Sequence, residues 1–274
     1  IIEPLKQSLG GNQITKVSGI INGTTNYILS RMDKEGINYA DVLKDAQQLG
    51  YAESDPAADV EGSDAADKIA ILSGLAFGGT INRADIPTTG INLLEAIDVN
   101  YARKLGYGIK LLAISEKEKT QTKNKNSLPL SIWVEPTLVP EDNPLAGVNG
   151  VNNAILVEGN PIGQVMFFGP GAGSGPTASA VVADILNIAG IQSISEDKTF
   201  NLDPLLSAKS WRSCHVADEK EIKKKNYIRL IAEDTPGVIG KIGAIFGQKK
   251  ISIESIVQFD ASDNEAEIVV ITHQ

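Results

Sequence analysis

The sequence contains little of what metal and disulfide chemistry needs. It has one cysteine, Cys214, and two histidines, His215 and His273, in 274 residues. A single cysteine excludes an internal disulfide framework, and a zinc site of Cys and His ligands needs more of both, so we predict no bound metal. Cys214 and His215 are neighbours, and adjacent side chains of a strand point to opposite faces. We therefore interpret this pair as structural rather than as a nucleophile beside its base.

Long apolar runs and a basic surface are also missing. No run approaches the length that spans a bilayer, and the N-terminus lacks the basic-then-apolar pattern of a secretory signal. The net charge of −9 argues against nucleic acid as a partner, because a phosphate backbone requires a basic surface. With 42% hydrophobic residues, the chain can bury a sizeable core and form two domains. The composition agrees with a soluble intracellular protein, and we expect it to be cytoplasmic, with neither a membrane nor a nucleic-acid partner.

Residues 50–68 concentrate the charge that is present. They include one lysine, Lys68, and six carboxylates, those of Glu53, Asp55, Asp59, Glu61, Asp64 and Asp67. Glycine and proline favour an irregular loop in the first half, and Ser63 is a candidate N-cap for the helix that follows. On that helix Asp64 and Lys68 fall one turn apart on one face. A lysine among carboxylates can deliver a proton to an oxygen that gains charge, while other carboxylates bind a substrate ammonium. The alternative is a solvated acidic loop followed by an ordinary i,i+4 pair.

A second segment, residues 18–32, brings hydroxyls and backbone amides to a strand-to-helix turn. Its β-branched run ends at Asn22-Gly23-Thr24-Thr25 and passes into helical spacing. Such a turn can bind a carboxylate or orient an amino acid, and its alternative role is only to cap a helix.

The periodicity of the whole chain predicts an α+β (α/β) fold, with an open mixed sheet covered by helices on one face. Five strands are expected, at residues 13–21, 108–115, 130–138, 153–158 and 162–168. A helix is expected between Asn38, as its N-cap, and Gly50. The polar segment 116–126 is expected to be an exposed loop, and the charged segment 218–226 a linker.

Residues 227–274 are expected to form a strand, a helix and two further strands. One face of the helix carries Val238, Ile242, Ile245 and Phe246. The turn at residues 234–238 resembles that of the ACT domain, a ferredoxin-like module that senses amino acids. The usual plan of that domain has one more helix and strand, so we expect a truncated ACT domain with an unpaired sheet edge.

Three segments together resemble homoserine dehydrogenase. They are SGIINGTTNYILSRM at residues 18–32, GYAESDPAADVEGSDAADK at 50–68 and FFGPGAGSGPTASAVVADIL at 167–186. The resemblance extends over nearly the whole chain and implies a catalytic and dimerisation domain at residues 1–217, a linker at 218–226 and a partial ACT domain at 227–274. Ser54 and Ser174 depart from the residue types usual in the family, and neither change removes a proposed acid or base.

The resemblance implies an oxidoreductase that interconverts L-aspartate 4-semialdehyde and L-homoserine with NADP or NAD, on the route to threonine, methionine and isoleucine. It implies a homodimer and a possible L-threonine effector. It assigns catalysis to Lys68, Glu53 and Asp64, substrate binding to Gly23, Thr24, Tyr51 and Asp59, cofactor contacts to Gly171, Ala172 and Gly173, and the effector to Asp234, Gly237 and Val238.

A dinucleotide-binding G-x-G-x-x-G turn is absent from the sequence. We therefore expect the cofactor to be bound mainly by a domain upstream of Ile1, and this chain to be inactive alone. Two alternatives stay open, a non-catalytic amino-acid sensor and a structural dimerisation fragment. Lys68 distinguishes the enzyme from the sensor, because a simple ammonium-binding pocket does not need a lysine.

Overall fold

The computed structural model of the chain describes residues 1–118, 127–194, 211–259 and 264–274. Two units emerge from the contacts, Ile1–Glu219 and Lys220–Gln274. Most of the predicted loop at 116–126 lies outside the described residues.

The first unit alternates strands with helices in its first half and then continues mainly as strands. Its elements are β1 Gln13–Ile20, α1 Gly23–Glu35, α2 Tyr39–Gln48, α3 Ala57–Val60, α4 Ser63–Phe77, β2 Gly79–Thr80, α5 Ala96–Lys104, β3 Tyr107–Lys117, β4 Ser127–Pro140, β5 Asn152–Asn160, β6 Gly163–Pro170, α6 Ser174–Ile194 and β7 Arg212–Val216.

A seven-stranded mixed sheet forms the centre of this unit, in the order β2-β7-β4-β3-β1-β5-β6. Neighbouring strands are antiparallel from β4 to β6, whereas β7 runs parallel to both β2 and β4. A core of buried side chains lies between the sheet and its helices, and it includes Val17, Ile28, Ile69, Val99, Leu111, Ile132 and Val157. The predicted α+β fold is confirmed, and all five predicted strands are present.

Strand β3 lies in the middle of the sheet and is buried on both faces. Leu111 and Ala113 pack into the helix-side core, while Leu112 and Ile114, which point the other way, are also buried. Lys110 shares that second face and is only 4% exposed.

Three helices of the first unit, α1, α2 and α4, begin near the predicted site. Asn22 caps α1 by accepting a hydrogen bond from the Thr25 N–H, and Asn38 occupies the N-cap position of α2, as predicted. The prediction that Ser63 caps α4 is wrong. Gly62 holds the cap position with φ +86°, and the Ser63 hydroxyl turns back to donate to the Ala58 carbonyl.

The second unit has the predicted order of elements: β8 Tyr227–Glu233, α7 Val238–Gln248, β9 Ile253–Phe259 and β10 Glu265–Thr272. Its antiparallel sheet has the order β8-β10-β9. Val238, Ile242 and Phe246 of α7 pack against buried residues of β10. Ile245 does not share this contact, contrary to the prediction, and is 56% exposed.

Candidate active site

Lys68 extends from the second turn of α4 towards the end of β1. Its Nζ donates to Asp64 Oδ2 at 2.7 Å and to the Ile21 carbonyl at 3.1 Å. The lysine side chain remains 48% exposed, so its amino group can also reach a ligand in the surrounding solvent. The predicted i,i+4 pair is therefore present, and it is joined to the strand-to-helix turn as well.

Asn22 connects the acidic segment to that turn. Its Nδ2 donates to Asp59 Oδ1 at 2.6 Å and to Asp64 Oδ2 at 2.9 Å, while its Oδ1 accepts from the Thr25 N–H at 2.9 Å. Asn22 is only 5% exposed, so the amide that binds the two carboxylates is itself buried. Sequence reasoning placed Asn22 in the turn but missed this role, because its partners lie 37 and 42 residues away along the chain.

The turn itself presents the N-terminus of α1. With Asn22 capping Thr25, the backbone N–H groups of Gly23 and Thr24 have no partner within the helix. The Thr24 hydroxyl donates to the Tyr51 carbonyl at 2.7 Å, and the Tyr51 ring lies 4.9 Å from that of Tyr27. These contacts bring three predicted substrate residues, Gly23, Thr24 and Tyr51, to one place. These N–H groups can donate hydrogen bonds to a carboxylate.

The other acidic residues of the segment separate from this cluster. Asp67 pairs with Arg83 at 2.8 Å, and Asp55 accepts from the Ala57 N–H. Glu53 is exposed, its carbonyl accepts from Gln47 Nε2 at 3.1 Å, and its carboxylate makes no hydrogen bond to any described residue. The geometry thus joins Asp59 and Asp64 to Lys68, and leaves the Glu53 carboxylate available in the adjoining loop.

The side chain of Asn153 lies between the glycine-rich turn at residues 169–175 and the turn at the start of α1. A Cβ added at Gly171 would lie 1.9 Å from Asn153 Nδ2, and a Cβ added at Gly23 would lie 2.9 Å from the Val151 carbonyl and 3.7 Å from Asn153 Oδ1. Both positions therefore need glycine for close approach. Gly171, Ala172 and Gly173 are exposed at the edge of this approach.

A buried polar network supports the loop that precedes β5. Asn26, one turn along α1 from the cap, donates to the carbonyls of Val148 and Asn152. Lys110 donates to the Val148 carbonyl at 2.6 Å and to Asn149 Oδ1 at 2.9 Å. Burial lowers the pKa of Lys110 to about 8, and the charge of Asp33 partly opposes this shift.

The second unit has a cavity of about 470 Å³ beside the start of α7. Its walls are formed by Asp234, Thr235, Pro236, Gly237, Val238, Ile239 and Gln258. Gln258 Nε2 donates to Asp234 Oδ1 at 3.0 Å, so the cavity joins the helix turn to β9. The three predicted effector residues line this cavity, and sequence reasoning missed Gln258.

Neither a membrane-spanning helix nor a cluster of metal ligands is found among the described residues. None of their helices is both long enough and apolar enough to cross a membrane. Within the same ranges, no group of three or more Cys, His, Asp or Glu side chains is arranged to hold a metal ion.

The sequence profile of homoserine dehydrogenase matches residues 1–186, and that of the ACT domain matches residues 226–274. The chain belongs to the homoserine dehydrogenase family. Homoserine dehydrogenase of Synechocystis sp. is 54% identical over 273 residues, which make up 100% of this chain and 62% of the relative. The chain thus spans less than two thirds of that curated relative.

Solved structures agree with this membership. The crystal structure of a homoserine dehydrogenase from Thiobacillus denitrificans aligns with a TM-score of 0.87 at 39% identity, over 99% of this chain and 60% of that one. A hyperthermophilic archaeal homoserine dehydrogenase mutant in complex with NADPH aligns with a TM-score of 0.55 at 32% identity, over 68% of this chain and 50% of that one.

Proposed function

We propose that this chain forms the substrate-binding part of an NAD(P)-dependent homoserine dehydrogenase, which interconverts L-aspartate 4-semialdehyde and L-homoserine. The observation that carries the proposal is the connected set of Lys68, Asp64, Asn22 and Asp59 at the N-terminus of α1. Its two carboxylates suit an ammonium group, the helix N-terminus suits a carboxylate, and the lysine suits an oxygen that gains or loses a proton.

Lys68 acts as the proton donor when the aldehyde is reduced. Negative charge grows on the carbonyl oxygen during reduction, and an ammonium within hydrogen-bond reach neutralises it by giving up a proton. The contact with Asp64 and that with the Ile21 carbonyl hold Nζ in place while leaving the group partly open to a ligand. In the reverse reaction the neutral amine takes the hydroxyl proton.

Asp59, Asp64 and Glu53 hold the substrate ammonium, and the free N–H groups of Gly23 and Thr24 hold its carboxylate. Asn22 fixes Asp59 and Asp64 relative to α1, so both ends of the amino acid are located by one rigid turn. Tyr51 closes one side of this turn through its contact with Tyr27. Such fixed contacts hold the reacting carbon in a productive orientation, which favours the chemical step.

The glycine-rich turn fits the approach of a flat cofactor ring. At Gly171 a side chain would overlap the amide of Asn153, and the exposed Gly171, Ala172 and Gly173 present backbone to a ligand. A bound nicotinamide cofactor supplies or accepts the hydride. The neighbour that holds NADPH, the archaeal enzyme, supports this class of cofactor.

We test the proposal with homoserine-dependent formation of NADPH or NADH by the full-length gene product. Lys68→Ala is expected to lower the rate roughly a hundred- to ten-thousandfold, because it removes the proton donor. Lys44→Ala, which removes an exposed lysine of α2, is the matched control and is expected to keep the wild-type rate. Most of the activity left in Lys68→Ala would refute the role of this lysine. A wild-type protein without turnover would favour an amino-acid-binding module instead.

The second unit supports a regulatory proposal, in which L-threonine binds the cavity lined by Asp234, Gly237 and Val238. The carboxylate of Asp234 suits the ligand ammonium, and the start of α7 suits its carboxylate. Assembly as a homodimer stays a prediction.

A further inference from the structure

We propose that Asn153 is a positioning residue for the amino-acid substrate, whose side-chain oxygen accepts a hydrogen bond from an N–H or O–H group of that substrate. This inference rests on the proposed function and adds to it a contact from β5, on the helix-covered face of the sheet. No part of the acidic segment or the lysine contributes to it.

The strand register places Asn153 on the helix-covered face. Asn153 pairs with Gly169 of β6, and it shares its face with Ile155 and Val157, both of which belong to the helix-side core. At the end of the strand, where that core stops, the same face carries the amide. It therefore points to the region where α1 begins, not to the opposite side of the sheet.

Two glycines make room for this amide. The Cβ positions at Gly171 and Gly23 approach Asn153 Nδ2 and Oδ1 to 1.9 Å and 3.7 Å, respectively. The amide thus lies between the turn proposed to bind the substrate and the turn proposed to meet the cofactor. Its oxygen is the amide atom near Gly23, and its nitrogen is the amide atom nearest to Gly171.

Among the described residues, the oxygen has no hydrogen-bond partner. Asn153 Oδ1 is buried and accepts no hydrogen bond from any described residue. The two other asparagines at this turn differ from it, because Asn22 and Asn26 have their amide groups bonded to Asp59, Asp64 and backbone carbonyls. A buried acceptor without a donor is destabilising, so its retention calls for a donor that the described residues do not supply.

A substrate amino acid carries the missing donor. Its ammonium has three N–H groups and homoserine adds a hydroxyl, whereas the carboxylate offers only acceptors at neutral pH. A hydrogen-bond acceptor beside Gly23 binds one of these donors. It thereby fixes how the substrate is rotated about its contacts with the N-terminus of α1. If the ammonium is the donor, both substrates depend on Asn153, and if the hydroxyl is the donor, homoserine depends on it more.

The test uses the full-length gene product with Asn153→Leu, which removes the acceptor at similar volume, and Asn153→Ala, which carries the same test if the larger side chain prevents folding. We expect KM for homoserine to rise about tenfold or more, with KM for the cofactor within about twofold of wild type. Calorimetric titration with homoserine, without cofactor, should show the same loss of affinity. Asn153→Asp keeps an acceptor and is expected to bind homoserine more tightly than Asn153→Leu.

Ser73→Ala is the matched control, because Ser73 Oγ is also buried without a partner among the described residues but lies in the core side of α4. It is expected to leave both KM values unchanged. A rise in cofactor KM with unchanged homoserine KM would overturn the inference, as would titration curves that Asn153→Leu does not alter. Absence of turnover in the wild type, with homoserine binding still sensitive to Asn153, would refute the proposed function and leave this inference standing.

Discussion

At the scale of single residues, Asn22 combines two tasks that proteins usually give to different side chains. Its oxygen caps α1, and its nitrogen holds Asp59 and Asp64. Without that donor, less would offset the repulsion between the two negatively charged carboxylates. The stability of the helix start and the geometry of the proposed ammonium site therefore depend on the same amide.

A pair of substitutions separates the two tasks. Asn22→Ala removes the cap and the donor together, and we expect it to lower the free energy of unfolding by about 1–3 kcal/mol. Asn22→Asp keeps an acceptor for the cap but replaces the donor with a third carboxylate, so it should weaken homoserine binding even if the cap survives. Urea denaturation measures the first effect and KM for homoserine the second. Unchanged stability in Asn22→Ala would show that water replaces the cap without cost.

At the scale of elements, Lys110 joins β3 to the loop that leads into β5. The loop is held by the contacts of the lysine with Val148 and Asn149, and Asn153 follows this loop directly. Burial of a charged lysine costs free energy, so the hydrogen bonds that Lys110 makes must offset this cost.

The lowered pKa of Lys110 predicts how stability changes with pH. The unfolded chain keeps the ordinary lysine pKa of 10.5, whereas the folded chain releases the proton near 8. Between these values the unfolded state binds more protons, so stability rises with pH, and the cost of burial is fully present below about pH 8. Relative to Lys110→Met, the wild type should gain about 2–3 kcal/mol of unfolding free energy from about pH 8 to about pH 10.5. Chemical denaturation of both proteins at each pH measures this difference, and a constant difference would contradict the shift.

The strands and helices could be read from the sequence because each has its own local pattern. The sequence pattern predicted five of the seven strands described in the first unit, and Asn38 and Gly50 marked the ends of α2. Ser63 was predicted wrongly because Gly62, one residue earlier, takes the cap position with a positive φ that glycine adopts without strain. Ile245 misled because a three-stranded sheet covers only the centre of the apolar stripe of α7, along Val238, Ile242 and Phe246.

The candidate site was predictable only in part, for a different reason. Lys68 and Asp64 are four residues apart, so helical spacing alone brings them together. The contacts of Asn22 with the acidic segment and the position of Asn153 depend on how β1, β5 and α4 pack, which no local pattern contains. The separation of Asp67 from the cluster depends likewise on Arg83, 16 residues away.

At the scale of the whole molecule, the cavity of the second unit is the proposed site for L-threonine. Saturating L-threonine should raise the melting temperature of the protein, because a ligand that binds only the folded state stabilises it by mass action. Asp234→Ala should abolish this rise, since it removes the carboxylate and the contact with Gln258. L-serine and L-valine serve as probes of the hydroxyl and the methyl group. A melting temperature that does not respond to L-threonine would count against the effector site.

The arrangement around Asn22 also has a stereochemical consequence. One rigid turn presents two carboxylates, a helix N-terminus and, through Asp64, a lysine. An amino acid that satisfies all three has its ammonium, its carboxylate and its side-chain oxygen fixed around a single carbon. Exchange of any two of these groups breaks at least two contacts, so the mirror-image D-amino acid cannot bind in the same way. For an amino acid bound as proposed, the cap of one helix would thereby determine the handedness that the site accepts.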